Sequence, residues 1–331
     1  MTLHTRVVEE RGTDSNAPRL PARDQRVSAA MGSRLHVFSG KGGVGKTSAA
    51  TAFAKASADA GERVLLAEFN GGDRASRLLR ADPVGSDLRE VLQRLYVVDM
   101  NPEDAIREYA LLTFRFEAVY SAVFENRFVR HFLRLVPSLR ELVMLGKLWF
   151  HHQESRPDGT PRFDTIVLDA PATGHAISML RAPAIVQRTV PAGPLRDNAN
   201  KIEKMLVDHG ELNVVTTAEE MAVSEARELE RAATDLIGIR VGTTFINQRL
   251  AAVDAESVTR LERTGGELTP LAAALRARST KVETGESHLR RLPKVMLDNA
   301  VSLPRLVSET DGAQTVEHLA SVIDSQLVRR A

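Results

Sequence analysis

The chain has 331 residues, 43% of them apolar and 26% charged, with a net charge of +1, the balance of a folded globular protein rather than of a disordered chain or a general polyanion binder. It contains no cysteine, which excludes disulfides, thiolate metal sites, iron–sulfur clusters and cysteine nucleophiles together. No apolar run approaches the roughly 18 residues that span a bilayer and residues 1–33 lack the apolar segment of a signal peptide, so a cytoplasmic location with no stable membrane insertion is expected.

Residues 1–33 read as a disordered tail, with Met31 a second candidate start beside Met1. Residues 34–331 read as one domain. It opens on an aliphatic run at 35–39, short enough for a strand buried on both faces. The next eight residues are Gly40-Lys41-Gly42-Gly43-Val44-Gly45-Lys46-Thr47, matching G-x-x-x-x-G-K-[ST] between a predicted strand and a predicted helix at 47–60. Glycines let consecutive backbone N–H groups converge on phosphate oxygens, and the helix N-terminus adds the positive end of its dipole. In such a P-loop Lys46 neutralises the outer phosphates, the Thr47 hydroxyl ligates magnesium, and Ser48 follows within the cradle. The expected ligands are therefore ATP or ADP with Mg2+.

Further strands are predicted at 63–69, 96–99, 164–169, 212–216, 241–247 and 294–297, each bounded by turn or helix signals. Between them, Thr217-x-x-Glu220 reads as a capping box for a helix over 219–236. The alternation predicts an α/β fold: a doubly wound, mostly parallel sheet of about seven strands with ligands at the strands' carboxyl ends. It breaks between about 101 and 155. There an inserted helical subdomain is expected, with Ile106, Tyr109, Phe116, Tyr120 and Val123 along one face, Pro137 as an interruption and Ser138-x-x-Glu141 capping a second helix. Residues 109–150 hold nine of the fifteen aromatics; a compact helical core and a partner-binding face both fit. The pair His151-His152 reads as a surface feature at a helix end. The last helix carries Val316, Leu319, Val322, Ile323 and Leu327 on one stripe, and core docking fits it better than membrane targeting.

Lys41, directly after the first loop glycine, resembles the signature lysine of the deviant-Walker class, which includes ArsA, MinD, ParA and nitrogenase iron protein. The stretch Asp169-Ala-Pro-Ala-Thr173-Gly174-His175 resembles switch II of the ArsA family, which spans arsenite-pump ATPases and guided-entry targeting ATPases for tail-anchored membrane proteins. Softer matches continue through Thr216-Thr-Ala-Glu-Glu220 and Phe245-Ile-Asn247-Gln248. The resemblance implies a face-to-face dimer, a homodimer or a heterodimer with a related ATPase, in which Lys41 reaches the neighbour's nucleotide. It also implies that Asp169 holds magnesium through water, that the Gly174 amide meets the γ-phosphate and that Asn247 reads the adenine edge.

Two departures from the family pattern, Asn70 and the missing cysteine, bear most on function. Asn70 stands where the family's switch I has an aspartate that positions the attacking water; an amide orients water but cannot take its proton. Glu68 falls where MinD-like relatives place a carboxylate near magnesium. Without cysteine, neither a thiolate zinc clamp nor an arsenite site can form. The expected function is thus a slow ATPase acting as a dimeric switch on a protein client held by the helical insertion, with Lys46, Lys41, Asn70 and Asp169 as catalytic residues. A catalytically weak regulatory subunit and a MinD- or ParA-like positioning ATPase remain as alternatives, and no nucleic-acid partner is expected.

Overall fold

The computed structural model describes residues 34–105, 138–306 and 311–328. The expected tail at 1–33 and the aromatic face from Ile106 to Val123, with Pro137, lie outside the described residues.

One sheet of eight strands organises these residues. In chain order the strands are β1 (Leu35–Gly40), β2 (Val64–Phe69), β3 (Arg89–Leu92), β4 (Leu95–Met100), β5 (Thr165–Ala172), β6 (Gly210–Thr216), β7 (Arg240–Arg249) and β8 (Ala300–Pro304). Across the sheet the order is β3-β4-β2-β5-β1-β6-β7-β8. Every pairing is parallel except β3 with β4, which are antiparallel. The helices are α1 (Lys46–Asp59), α2 (Arg74–Leu78), α3 (Leu139–Gln153), α4 (Thr173–Leu180), α5 (Ala182–Thr189), α6 (Pro194–His209), α7 (Glu220–Ala232), α8 (Ala255–Thr264), α9 (Thr269–Leu289), α10 (Lys294–Asp298) and α11 (Gly312–Val328).

Side-chain alternation along each strand feeds two separate cores. Leu35, Val37, Leu65, Ala67, Ile166 and Leu168 face a layer that includes α3, α6 and α7. Phe38, Val64, Leu66, Val167 and Val215 face α1 and α11. Helix α1 is buried almost all round by small residues, Ala49, Ala50, Ala52, Ala54 and Ala56, because α11 covers the side the sheet does not. Phe53 is its one large anchor, tilted against Phe38 and edge-on to Phe245 with ring centroids 5.3 and 6.3 Å away. The stripe of α11 is spent on this contact: Val316, Leu319, Ile323 and Leu327 are all buried, and Lys55 of α1 pairs with Glu317 at 3.0 Å. Among the described residues no helix is long and apolar enough to cross a membrane.

Several expectations need correction. The expected doubly wound, mostly parallel sheet is present, with eight strands among the described residues where about seven were expected. Residues 294–297 form α10, not a strand: Pro293 precedes them with its fixed φ, a natural helix opener, and the last strand is β8. The edge hairpin β3–β4 carries no glycine signal because Arg94 itself takes the left-handed conformation, φ 65°. Neither predicted capping box forms. Glu219 precedes α7 and Ser138 precedes α3 without a side-chain cap bond, and the Thr217 hydroxyl is buried without a hydrogen bond. The helix over 219–236 ends its α-helical part at Ala232 and continues as a π-turn over Ala233–Ile237. Helix α3 packs Leu142, Val143, Met144, Leu145 and Leu148 into the main core, so this part of the expected insertion belongs to the sheet's own layer. His151 and His152 are buried, not surface residues. Burial, then the nearby Arg34 and His209, push His152 down to about 4.

Candidate active site

At the carboxyl ends of β1, β5 and β2 the chain must turn sharply, and its glycines make that possible. A Cβ on Gly40 would lie 1.9 Å from the Val215 carbonyl oxygen of β6, so only glycine fits. Gly45 has φ +89°, and a Cβ there would lie 2.3 Å from the Asn247 amide nitrogen. That nitrogen donates to the Val44 carbonyl at 2.8 Å, while the Asn247 oxygen accepts from Gln248 N at 2.8 Å. Asn247 therefore braces the loop from β7, keeping one further N–H and one lone pair uncommitted. Lys46 Nζ donates back to the Lys41 carbonyl at 3.3 Å, spanning the loop it closes. Ser39 Oγ donates to the Pro171 carbonyl at 2.8 Å, tying the start of the loop to the segment after β5.

Parallel register then lines up three carboxylates. Glu68 of β2 pairs with Asp99 of β4 on one side and with Asp169 of β5 on the other. Thr47 Oγ1 donates to Asp169 Oδ2 at 2.6 Å. Asp169 Oδ1 and both Glu68 oxygens are buried without a hydrogen-bond partner. Burial pushes the Asp169 carboxyl up to about 6, against the pull of the Thr47 hydrogen bond and of the Lys46 and Arg74 charges. Burial pushes Glu68 further, to about 7, with Asp99 and Asp169 adding repulsion; the N–H dipoles of Ala75 and Arg74 point toward it and offset part of the rise, although neither makes a well-formed hydrogen bond. Burial also lowers Lys46, with Asp169 opposing and Arg74 reinforcing the shift. With the Thr47 hydroxyl on one oxygen of Asp169 and the other oxygen unpartnered, and with Glu68 in register beside it, these residues offer oxygen ligands of the kind a hard divalent cation takes.

The loop after β2 is built on Asp99, a residue the sequence reading passed over. Its carboxylate accepts from the amides of Gly71, Gly72 and Asp73 at 2.8, 2.7 and 3.1 Å. Asp73 in turn accepts from Val84 and Gly85 N, both at 2.9 Å. Asn70 (φ 54°) and Asp73 (φ 56°) both take the left-handed conformation, which Asn and Asp tolerate better than most residues. Asn70 is exposed on this loop, and its backbone N–H donates to the Met100 carbonyl at 2.8 Å. The available signal for Asp99 was a strand ending in an aspartate, the same signal that singled out Asp169. Asp99→Ala leaves three amides without their acceptor, at about 2–4 kcal/mol for charge-assisted bonds of which some are re-formed with water. The expected outcome is faster hydrogen exchange at residues 70–73 with the P-loop amides unchanged, checked by exchange mass spectrometry.

Residues 40–48, Glu68, Asp169 and Asn247 are thus gathered at one end of the sheet. Gly174 and His175 are exposed in the first turn of α4, directly after β5. Lys41 is half-buried at the loop's edge. A family model described as anion-transporting ATPase, the ArsA ATPase model, matches residues 33–192. Residues 33–192 carry an ATPase domain of the ArsA family. The protein is accordingly an ATP-binding, ATP-hydrolysing enzyme. Relatives of this ArsA-family domain include ATPase BagA of Mycobacterium tuberculosis, 26% identical over 232 residues that cover 68% of each chain. A protein of Aquifex aeolicus, provisionally named arsenical pump-driving ATPase 2, is 28% identical over 153 residues, 45% of this chain and 48% of its own. Another of Prosthecochloris vibrioformis, provisionally named arsenical pump-driving ATPase, is 25% identical over 151 residues, covering 45% of this chain and 36% of its own.

Proposed function

We propose that this ArsA-family ATPase works as a dimeric nucleotide switch that binds MgATP in the loop of residues 40–48 and hydrolyses it slowly. The observation that carries the reading is the Thr47–Asp169 hydrogen bond beside an unpartnered Glu68, at the mouth of a glycine loop closed by Lys46. Thr47 would hold magnesium directly, Asp169 through a water, and Glu68 as a further acceptor. The cation supplies neutralisation of charge on the phosphates. Lys46 and the loop amides hold the triphosphate, and the Gly174 amide, at the head of α4, is suited to sensing its terminal phosphate. Asn247 keeps enough hydrogen-bonding capacity to meet an adenine edge while bracing Val44. Asn70 orients the attacking water but cannot accept its proton, hence the slow turnover.

Lys41, at the loop edge, is available to a second protomer, which supports the dimer. Closure would be transmitted through β5 to α4 and through the Asn70 loop, on to a protein client at the helical insertion. The second reading, a regulatory subunit paired with a more active ATPase, rests on Asn70 alone. The positioning-ATPase alternative loses its motivation, because the α11 stripe is packed on α1. Without cysteine the chain cannot handle arsenite or zinc through thiolates.

Two variants separate the parts. Lys46→Ala is expected to weaken MgATP binding about 100-fold by calorimetry, having lost a charge-assisted phosphate contact. Lys41→Ala is expected to bind MgATP normally and to lose ATP-dependent association in sedimentation velocity. Normal MgATP binding by Lys46→Ala overturns the site. A wild-type protein that stays monomeric at saturating MgATP overturns the switch.

A further inference from the structure

We infer that Arg74 and Arg77 of α2 form a second cationic wall of the nucleotide cleft, with Arg74 contacting the terminal phosphate of a nucleoside triphosphate from within the same chain. The inference rests on the nucleotide reading above and adds to it two residues outside the P-loop.

A cleft of about 520 Å³ opens between the start of α1 and α2, lined by Lys46, Thr47 and Ser48 on α1 and by Arg74 and Arg77 on α2. In a helix, residues three and four apart share a face. Arg74, Arg77 and Leu78 therefore share one face of α2, while Ala75 and Ser76 are buried. Both arginines are exposed, and neither has a carboxylate within ion-pair distance among the described residues. With Lys46 they place three like charges around one concave space, which is stable only when an anion fills it or solvent screens it. A guanidinium offers a planar fork of donors that suits phosphate oxygens better than a lysine does.

The element that carries them is anchored at both ends. Asp99 holds the amides of Gly71, Gly72 and Asp73 just before α2. Just after it, Arg80 pairs with Asp311 ahead of α11. Gly312 lies so close that a Cβ there would be 3.0 Å from Leu78 Cδ2. Because α2 is clamped between the Asn70 loop and α11, its arginines face the cleft without a prior rearrangement. Arg74 is the guanidinium whose charge reaches both Lys46 and Asp169, the residues that mark the γ-phosphate end. Arg77 lies about one turn further along α2 and lines the same cleft. Where Asn70 gives the attacking water an amide in place of a carboxylate, Arg74 adds a positive charge aimed at the group that gains negative charge during transfer.

The test compares affinities for ATPγS and ADP, both with magnesium, and ATP turnover. Arg74→Ala, Arg74→Lys, Arg77→Ala and Lys46→Ala are measured beside the wild type. Arg74→Ala is expected to weaken ATPγS at least tenfold, to change ADP by less than twofold and to reduce turnover in parallel. Arg74→Lys recovers part of the ATPγS affinity. Arg77→Ala weakens both nucleotides by a similar factor, and the melting temperatures of the arginine variants without nucleotide match the wild type. An unchanged ratio of ATPγS to ADP affinity in Arg74→Ala, with Lys46→Ala defective, overturns this inference and leaves the nucleotide site standing. Full ATPγS binding by Lys46→Ala overturns the site itself, and this inference with it.

Discussion

Asp169→Asn is expected to lower ATP turnover by about two to three orders of magnitude, the usual consequence of disabling a preorganised electrostatic contact at a phosphoryl-transfer site. The side chain is 8% exposed, and its two oxygens have different surroundings. One accepts from Thr47 at 2.6 Å; the other is buried and unpartnered. An asparagine of the same shape keeps the Thr47 bond with its carbonyl and turns an N–H2 group to the position where an acceptor is needed. The defect should therefore lie in the magnesium dependence. Steady-state hydrolysis over a magnesium titration will show a lost or strongly right-shifted response, while nucleotide binding in the presence of a chelator stays close to wild type. Stability without ligand will not fall, because burial already resists ionisation of this carboxyl. Near-normal turnover in Asp169→Asn would remove Asp169 from the site.

The second large effect is on stability and its pH dependence. Without nucleotide, Glu68 is pushed up to about 7 from an ordinary 4.5 by burial, by Asp99 and by Asp169. A carboxyl whose folded value is raised keeps its proton where the unfolded chain has lost it. Its contribution to stability is therefore fully present below about 4.5, falls as pH rises, and is gone above about 7. The shift corresponds to roughly 3 kcal/mol over that window. Glu68→Gln removes the titration. Asp169 is also raised and repels Glu68, so the difference between the two curves reports Glu68 together with its coupling to Asp169. Denaturant melts of the ligand-free proteins should coincide near pH 5. They should separate by pH 8, with the variant more stable by about 2 kcal/mol once the burial of its own amide is allowed for. With MgATP present the order should reverse, because the variant lacks the anionic acceptor. Parallel curves from pH 5 to 8 would mean that Glu68 is already neutralised by a partner.

These expectations differ in how far they could be read from sequence. Residues 40–48 are consecutive, and their chemistry is that of a backbone turn, so the glycines, Lys46 and Thr47 suggest a phosphate-binding loop without tertiary information. Strand–helix alternation reads the parallel sheet for the same local reason, since burial on both faces leaves β-branched and aliphatic runs. Where a run is only four residues long the two periods cannot be told apart. Residues 294–297 are helical because Pro293 starts a turn there, and the strand comes six residues later. The short strand β3 at Arg89–Leu92 is mostly exposed and carries neither an apolar period nor a glycine.

What the chain by itself determined is the loop that can wrap a phosphate, the doubly wound order that puts this loop at the carboxyl end of the sheet, and the absence of any thiolate chemistry. What only the tertiary structure decided is everything made between distant segments. Thr47 meets Asp169 across 122 positions, and Asn247 meets Val44 across 203. Asp99 holds the Asn70 loop, and α11 clamps α2 so that Arg74 and Arg77 face the cleft. The physical reason is that sequence periodicity encodes which face of an element is buried, whereas strand register and helix docking set which polar groups share that buried space. Only the second of these says whether a carboxylate ends beside a hydroxyl, an amide or another carboxylate.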